Sequence, residues 1–168
     1  VRTTMAGLVA LNNIGWGLDI QKCRKGIRNV VKNTGIQGRW QIIQDTPKVI
    51  CDTGHNTEGI EEIVMQLEQE DCDQLHIVFG QVQGKDTTNV LQLLPQNAQY
   101  YFCKPNIVRG LDSTLLAKSA TDVGLTGDVF DSVMTAYTAA LIAASPDDVI
   151  FVGGSTFVVA DLLEGLKE

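Results

Sequence analysis

Strand-like apolar runs alternate with helical patterns along most of this chain. Three of these runs are almost continuously apolar and span residues 49–51, 75–79 and 149–152. Such strands are buried on both faces, as happens when helices cover both sides of a parallel sheet. The sequence therefore predicts an α/β fold, namely a three-layer Rossmann-like sandwich with a mostly parallel sheet, preceded by a short helical segment.

The chain opens with two helical patterns, over residues 3–14 and 19–33, and Asp19 is placed to cap the second. A glycine-containing stretch then breaks the periodicity, so we expect a domain boundary near residues 34 to 38, dividing the chain into residues 1–37 and 38–168. Beyond it we predict strands over 40–44, 48–52, 75–79, 98–103 and 149–152, and helices over 57–69, 88–94, 113–120, 129–144 and up to residue 166.

Charge and composition exclude several classes of function. The chain has 13 Lys and Arg against 20 Asp and Glu, a net charge of −7, and no basic cluster for nucleic acid. It has no stretch long and apolar enough for a membrane span and no secretory signal at its start. Its four cysteines are far apart and are expected to be reduced, buried thiols of a cytoplasmic protein. The absence of Met at position 1 suggests a piece of a longer protein.

The first junction of interest is the point where the apolar run 49–51 ends and polar residues follow, just before a helix. Ligands gather at such junctions in open parallel sheets, because helix amino termini present unpaired N–H groups. Asp52, which accepts hydrogen bonds when ionised, is therefore a candidate to bind ribose hydroxyls, with His55 and Asn56 beside the nucleotide. The structural alternative is that Asn56 or Thr57 caps the helix, Gly54 makes the turn, and Asp52 and His55 satisfy backbone groups. Metal binding is disfavoured because Cys51 and Asp52 point to opposite faces of a strand.

Two further junctions follow other strands. The stretch 80–86 resembles a phosphate-binding P-loop but is one residue too short and has Asp86 where that motif needs Ser or Thr. Lys85 is a candidate contact for a substrate or phosphate, with an exposed, solvated lysine as the alternative. Ser155 follows two glycines and is a second such candidate, with tight strand-to-helix packing as the alternative. His76 lies inside a strand and is read as a core histidine.

Several motifs, in this order and spacing, resemble those of the folylpolyglutamate and dihydrofolate synthases of the Mur ligase superfamily. They are Gly38-Arg39-Trp40, Asp52-Thr53-Gly54-His55-Asn56, Phe79-Gly80 with Gly84-Lys85-Asp86, and Gly153-Gly154-Ser155. The opening helices resemble the end of that family's central, ATP-binding domain, and residues 38–168 resemble its carboxyl-terminal domain. The chain departs from the family pattern at Gln37, Gly54, Thr57 and Gly84.

The resemblance implies an ADP-forming ligase that phosphorylates a folate or dihydropteroate carboxylate with ATP and then adds glutamate. By position, Arg39 would meet the ATP phosphates and Asp52 the ribose, with His55 and Asn56 nearby. The P-loop and the Mg²⁺ ligands would lie in amino-terminal domains of the same chain, so these residues alone are expected to be inactive. The implied partners are small molecules, with neither nucleic acid nor a membrane.

Other functions remain open at this stage. A different Mur-type ligase, for example one that builds a cell-wall peptide, shares the Asp-x-x-His-Asn element. A methyltransferase-like nucleotide-binding domain and a non-catalytic interaction module are the alternatives from other classes. Substitution of Asp52 separates a functional role from a structural one: nucleotide binding predicts impaired use of ATP with little loss of stability, and a structural role predicts the reverse.

Overall fold

The computed structural model describes residues 2–84 and 86–167. By its internal contacts the chain divides into two compact units, Val1–Gln37 and Gly38–Glu168. No helix within the described residues has the length and apolar character needed to cross a bilayer. The two units are described separately below.

The first unit contains three helices, α1 (Arg2–Asn13), α2 (Ile20–Arg28) and α3 (Val30–Thr34). The Asp19 carboxylate caps α2, as predicted, by accepting from the backbone N–H groups of Gln21 and Lys22. The single helix predicted over residues 19–33 is wrong, because the helix breaks at Asn29, whose side chain bonds back to the Lys25 carbonyl at 2.9 Å. None of the described residues of this unit is buried.

The second unit is built around one sheet. Its strands are β1 (Gln41–Asp45), β2 (Lys48–Cys51), β3 (Leu75–Phe79), β4 (Gln99–Cys103), β5 (Gly127–Phe130) and β6 (Val149–Gly153). Its helices are α4 (Thr57–Leu67), α5 (Thr87–Leu93), α6 (Ser113–Asp122), α7 (Val133–Ala143) and α8 (Thr156–Gly165). The strand order is β1-β2-β6-β3-β4-β5, and every neighbouring pair is parallel except β1 with β2.

Helices cover both faces of this sheet, which confirms the predicted three-layer sandwich. Side chains from α4, α5 and α6 pack on one face, against residues such as Ile50, Ile77 and Phe151. Side chains from α7 and α8 pack on the other, against residues such as Val78 and Ile150. The alternation of adjacent strand residues between the two clusters is the geometry expected of a strand buried on both sides.

The helix predicted over residues 129–144 is wrong at its start, because Gly127–Phe130 form the edge strand β5. Most of the side chains of β5 are exposed, so the strand lacks the continuous apolar run that marked β2, β3 and β6. A Cβ at Gly127 would lie 2.4 Å from the Tyr100 carbonyl oxygen, so a glycine is needed for this pairing. The helix that follows begins after Ser132, which forms a capping box with Thr135.

His76 occupies a closed polar network within the core. Its two ring nitrogens lie 3.0 Å from the Tyr101 hydroxyl and 3.3 Å from an Asp148 carboxylate oxygen. Asp148 also accepts backbone N–H groups of Ser145 and Gln74, and the Ser145 bond is the main cause that holds its pKa below the ordinary value. His76 is therefore a satisfied core histidine, as the sequence suggested.

Candidate functional site

The carboxyl ends of β2, β6 and β3 lie side by side in the middle of the sheet. Cys51 of β2 pairs with Val152 of β6, and Gly153 of β6 pairs with Phe79 of β3. The helices after β2 and β3 cover one face, whereas α8, after β6, covers the other. The chain thus leaves neighbouring strands in opposite directions, which opens the crevice where ligands bind in open α/β sheets.

Asp52 bridges two backbone segments at the carboxyl ends of these strands. One carboxylate oxygen accepts from the Gly54 N–H at 2.7 Å and the other from the Trp40 N–H at 2.6 Å. Trp40 has φ +44°, the left-handed region that a bulky residue seldom adopts, and the Asp52 bond helps to hold it there. These are the contacts that the structural alternative predicts. The side chain is half-buried, and an ionised carboxylate has further lone pairs for a ligand.

Gly38 and Arg39 lie directly against this loop. The Gly38 carbonyl accepts from the Thr53 N–H at 3.0 Å, and a Cβ at Gly38 would lie 2.8 Å from the Thr53 side chain. Arg39 is exposed, and its guanidinium donates to the Gly38 carbonyl at 3.0 Å. Among the described residues it has no ion-pair partner. The guanidinium therefore lies at the same end of the parallel strands as Asp52, and most of its N–H donors are left to bind a ligand.

The next two predicted residues have different surroundings. His55 is half-buried, and its Nδ1 lies 3.1 Å from the Thr53 carbonyl; with the proton assigned to Nδ1, Nε2 is left as an acceptor. Asn56 is exposed and caps α4 by accepting from the Gly59 N–H at 3.1 Å. Asn56 thus has the capping role that the structural alternative gives it, and its amide N–H₂ group stays available.

Ser155 begins α8 and is buried. Its hydroxyl accepts from the Phe157 N–H at 3.2 Å, so it caps the helix. The two glycines before it are required by close packing, since a Cβ would lie 2.5 Å from the Phe151 ring at Gly153 and 2.5 Å from the Phe79 ring at Gly154. The packing alternative thus accounts for both glycines.

A small cavity of about 100 Å³ joins three of these junctions. It is lined by His55, Val82, Arg109, Gly154, Ser155, Thr156 and Phe157. The structure therefore brings His55 and Ser155 together, although they are 100 positions apart in sequence. It also adds Arg109, which sequence reasoning missed because it lies in a loop with no strand or helix pattern. Its place soon after the apolar strand β4 was the feature that could have identified it.

The remaining candidate, Lys85, lies outside the described residues. Its neighbours show how the loop after β3 is built. Gly84 has φ +79°, and Asp86 caps α5 by accepting from the Asn89 N–H at 3.3 Å. Asp86 therefore stands as a helix cap where a P-loop would have the hydroxyl that binds Mg²⁺.

The cysteines are not placed to hold a metal. Burial raises the pKa of the Cys51 thiol to about 11, which keeps it protonated at neutral pH. Cys103 is also buried, whereas Cys23 and Cys72 are only half-buried, so the prediction of four buried thiols is wrong for these two. Within residues 2–84 and 86–167, no three His, Cys, Asp or Glu side chains are grouped closely enough to bind a metal ion.

A larger cavity of about 620 Å³ lies beyond the ends of β4 and β5. Its charged lining residues are Lys104, Asp131, Asp161 and Glu164. Because carboxylates outnumber cations, this cavity is a poor site for phosphate groups, in spite of its size. The junctions of β2, β6 and β3 remain the better nucleotide-binding candidates.

Comparison with known proteins gives a consistent family. A family model described as Mur ligase, glutamate ligase domain, matches residues 38–156. A Haloferax volcanii protein named "Probable bifunctional folylpolyglutamate synthase/dihydropteroate synthase" is 31% identical over 147 residues, which is 86% of this chain and 17% of that protein. The dihydrofolate synthase/folylpolyglutamate synthase of Escherichia coli is 28% identical over 149 residues, 88% of this chain and 34% of that protein.

Solved structures agree with these relatives. E. coli FolC in complex with DHPP and ADP matches with a TM-score of 0.82 at 28% identity, covering 95% of this chain and 37% of that chain. A bifunctional folylpolyglutamate synthase/dihydrofolate synthase with Mn, AMPPNP and L-glutamate bound matches with a TM-score of 0.72 at 27% identity, covering 79% of this chain and 32% of that chain. The chain thus spans about a third or less of the length of these proteins.

Proposed function

The chain belongs to the Mur ligase family, of which it carries the glutamate ligase domain, and we propose that its parent protein is an ADP-forming ligase that adds glutamate to folate or dihydropteroate. The proposed substrates are ATP, glutamate and the pterin acid, and the proposed location is the cytoplasm. The parent would supply the amino-terminal domains that complete the site.

The main observation that supports this proposal is the proximity of Arg39 to Asp52. The residue after Arg39 donates its N–H to the Asp52 carboxylate, so the two side chains belong to one small patch at the end of β2. An exposed guanidinium presents a planar fork that suits phosphate oxygens, and a half-buried carboxylate accepts from ribose hydroxyls. Both groups lie at the carboxyl ends of the parallel strands, where nucleotides bind in folds of this type.

The reaction has two steps. The terminal phosphoryl group of ATP passes to an oxygen of the folate carboxylate, which gives an acyl phosphate and ADP. The glutamate amine then attacks the acyl carbon, the bond from that carbon to the phosphate oxygen breaks, and the amide, phosphate and a proton result. Arg39 would stabilise the charge on the transferred group, and Asp52 would hold the ribose, with His55 and Asn56 beside the nucleotide. Lys85 and Ser155 are proposed as contacts to a substrate or a phosphate.

The two units take separate roles in this proposal. Residues 38–168 are the carboxyl-terminal domain, and residues 1–37 are the end of the central ATP-binding domain. Large apolar side chains are exposed on the first unit, among them Val9, Ile14 and Trp16 at 49%, 73% and 65%. Such exposure suits helices that pack against further parts of the same protein.

Magnesium would enter with ATP in this proposal. The described residues offer no group of three side chains that fits a divalent ion, so its protein ligands are proposed to lie elsewhere in the parent. The residues of this chain would instead bind and orient the nucleotide and the amino acid.

A ligation assay of the full-length parent tests the proposal. With ATP, Mg²⁺, L-glutamate and either folate or dihydropteroate, we expect ADP and a glutamyl amide in equal amounts, and no amide when any component is omitted. Amide formation on a cell-wall peptide precursor but on neither pterin acid would assign the parent to another Mur-type ligase. Failure to release ADP with every acceptor would refute the ligase assignment.

A further inference from the structure

We propose that Gln41 is a positioning residue for Arg39, and that its side-chain carbonyl closes the bend that presents the guanidinium to the phosphates of the nucleotide. This inference rests on the proposed function, because it takes Arg39 as the phosphate-binding residue. Gln41 does not touch the nucleotide in this proposal and acts only through the backbone of residues 38–40.

The Gln41 side chain closes the bend at residues 38–40. Gln41 begins β1, and its Oε1 accepts from the Gly38 N–H at 2.8 Å. Gly38 is buried, so loss of this acceptor would leave its N–H away from water without that bond, which is unfavourable. Leucine at position 41 would keep the strand pairing, because backbone groups form it, but would not close the bend.

Two further hydrogen bonds hold the same bend from the end of β2. The Gly38 carbonyl accepts from the Thr53 N–H at 3.0 Å, and the Trp40 N–H donates to the Asp52 carboxylate at 2.6 Å. The residues before and after Arg39 are therefore both tied to the segment that follows β2.

The backbone on either side of Arg39 is in the left-handed region. Gly38 has φ +65° and Trp40 has φ +44°, and Trp40 is the one residue other than glycine with a positive φ within residues 2–84 and 86–167. A bulky residue keeps such a conformation only where its surroundings over-determine it, and such residues cluster at functional sites. A Cβ at Gly38 would lie 2.8 Å from the Thr53 side chain, so the bend has little room to relax. The bend thus has one shape, which sets the direction in which the Arg39 side chain leaves the backbone.

The bend also holds the far end of the Arg39 side chain. The guanidinium donates to the Gly38 carbonyl at 3.0 Å, and it has no ion-pair partner in the part of the chain that the structure describes. Gln41 bonds the N–H of Gly38 and Arg39 bonds the carbonyl of the same residue, so a shift of Gly38 moves the guanidinium. A displacement of about 1 Å in a group that stabilises a transition state costs on the order of a hundredfold in rate.

Gln41→Leu in the full-length parent tests this role. We expect kcat to fall about 10- to 100-fold while the KM for ATP stays within about threefold of wild type, because the guanidinium is misplaced and not lost. Gln41→Glu should restore kcat to within about threefold of wild type, since a carboxylate oxygen accepts at the same reach. A kcat within about twofold of wild type in Gln41→Leu would overturn the inference.

Gln44→Leu is the matched control. Gln44 also lies in β1, and its Nε2 donates to the Thr46 and Pro47 carbonyls at 3.1 and 3.2 Å. The same substitution there removes side-chain bonds to the backbone at the other end of the strand, so it should lower the melting temperature and leave kcat unchanged. An equal fall of kcat in both variants would show that Gln41 acts on stability alone.

A double-mutant cycle determines whether Gln41 acts through Arg39. When Gln41→Leu is combined with Arg39→Ala, kcat should lie within about twofold of that of Arg39→Ala alone, because no guanidinium is left to be positioned. Losses of kcat that multiply in the double variant would contradict the positioning role.

Chemical modification of Arg39 separates this inference from the proposed function. Phenylglyoxal modifies arginine guanidinium groups, and a saturating non-hydrolysable ATP analogue should protect Arg39 in wild type but much less in Gln41→Leu, as measured by mass spectrometry of the peptide that contains Arg39. This difference would support the inference even if the parent forms no amide, in which case only the ligase proposal fails. Equal protection in both proteins, or no protection in wild type, would overturn the role of Gln41 whether or not an amide is formed.

Discussion

Asp52→Ala in the full-length parent is expected to raise the KM for ATP about ten- to a hundred-fold and also to lower the melting temperature. The first effect follows from the loss of a charge-assisted hydrogen bond to ribose, about 1.5 to 3 kcal/mol. The second follows from the two backbone N–H groups that the carboxylate accepts, at 2.6 and 2.7 Å. Without it, Trp40 loses a bond that holds its left-handed backbone, and roughly 5 to 10 °C of melting temperature should be lost.

Asp148→Ala provides the matched control for this variant. Asp148 also accepts two backbone N–H groups, those of Ser145 and Gln74, but it precedes β6, at the opposite end of the parallel strands from Asp52. We expect it to lower the melting temperature by at least as much, because it also removes a partner of the buried His76, while the KM for ATP stays unchanged. ATP kinetics and melting temperature should be measured on the same preparations. A normal KM for ATP in folded Asp52→Ala would reduce Asp52 to a structural role.

Arg39→Ala is expected to lower kcat about 10²- to 10³-fold with a much smaller change in the KM for ATP. A donor aimed at the charge that develops on a transferred phosphoryl group acts mainly in the transition state, so its loss reduces turnover. The melting temperature should be unaffected, because Arg39 is exposed and donates only to the adjacent Gly38 carbonyl among the described residues.

Rapid-quench measurement of acyl-phosphate formation checks this expectation at the chemical step. Arg39→Lys keeps the charge but loses the planar fork, so it should fall between wild type and Arg39→Ala. A normal rate of phosphoryl transfer in Arg39→Ala would show that the side chain does not stabilise that step.

The central strands were predictable because of how they are buried. The strands β2, β3 and β6 lie between two layers of helices, so both of their faces select apolar residues and the pattern is continuous. Strand β5 lies at the edge with most of its side chains exposed, so burial imposes no such pattern there. The break at Asn29 was also missed, since apolar spacing continues through Val30 and Val31 although the hydrogen bonding does not.

The candidate site was predictable only in parts. Each polar junction follows a recognisable strand, so Asp52, His55 and Ser155 could be singled out from local sequence. Their proximity depends on β6 lying between β2 and β3, an order that no local pattern encodes. Arg109 was missed for the same reason, because pairing between two loops places it, and neither loop has a periodic sequence. The contacts of Asp52 show the structural role of its carboxylate, and the ribose role stays a prediction.

Transfer of labelled oxygen tests the acyl-phosphate ligase most directly. The full-length parent is supplied with ATP, L-glutamate and a folate or dihydropteroate in which both oxygens of the reacting carboxylate are a heavy isotope. Attack of that carboxylate on the terminal phosphorus, followed by release of phosphate from the acyl carbon, predicts one labelled oxygen in inorganic phosphate for each amide formed. Amide formation with the label in AMP, or with no label in phosphate, would contradict the account.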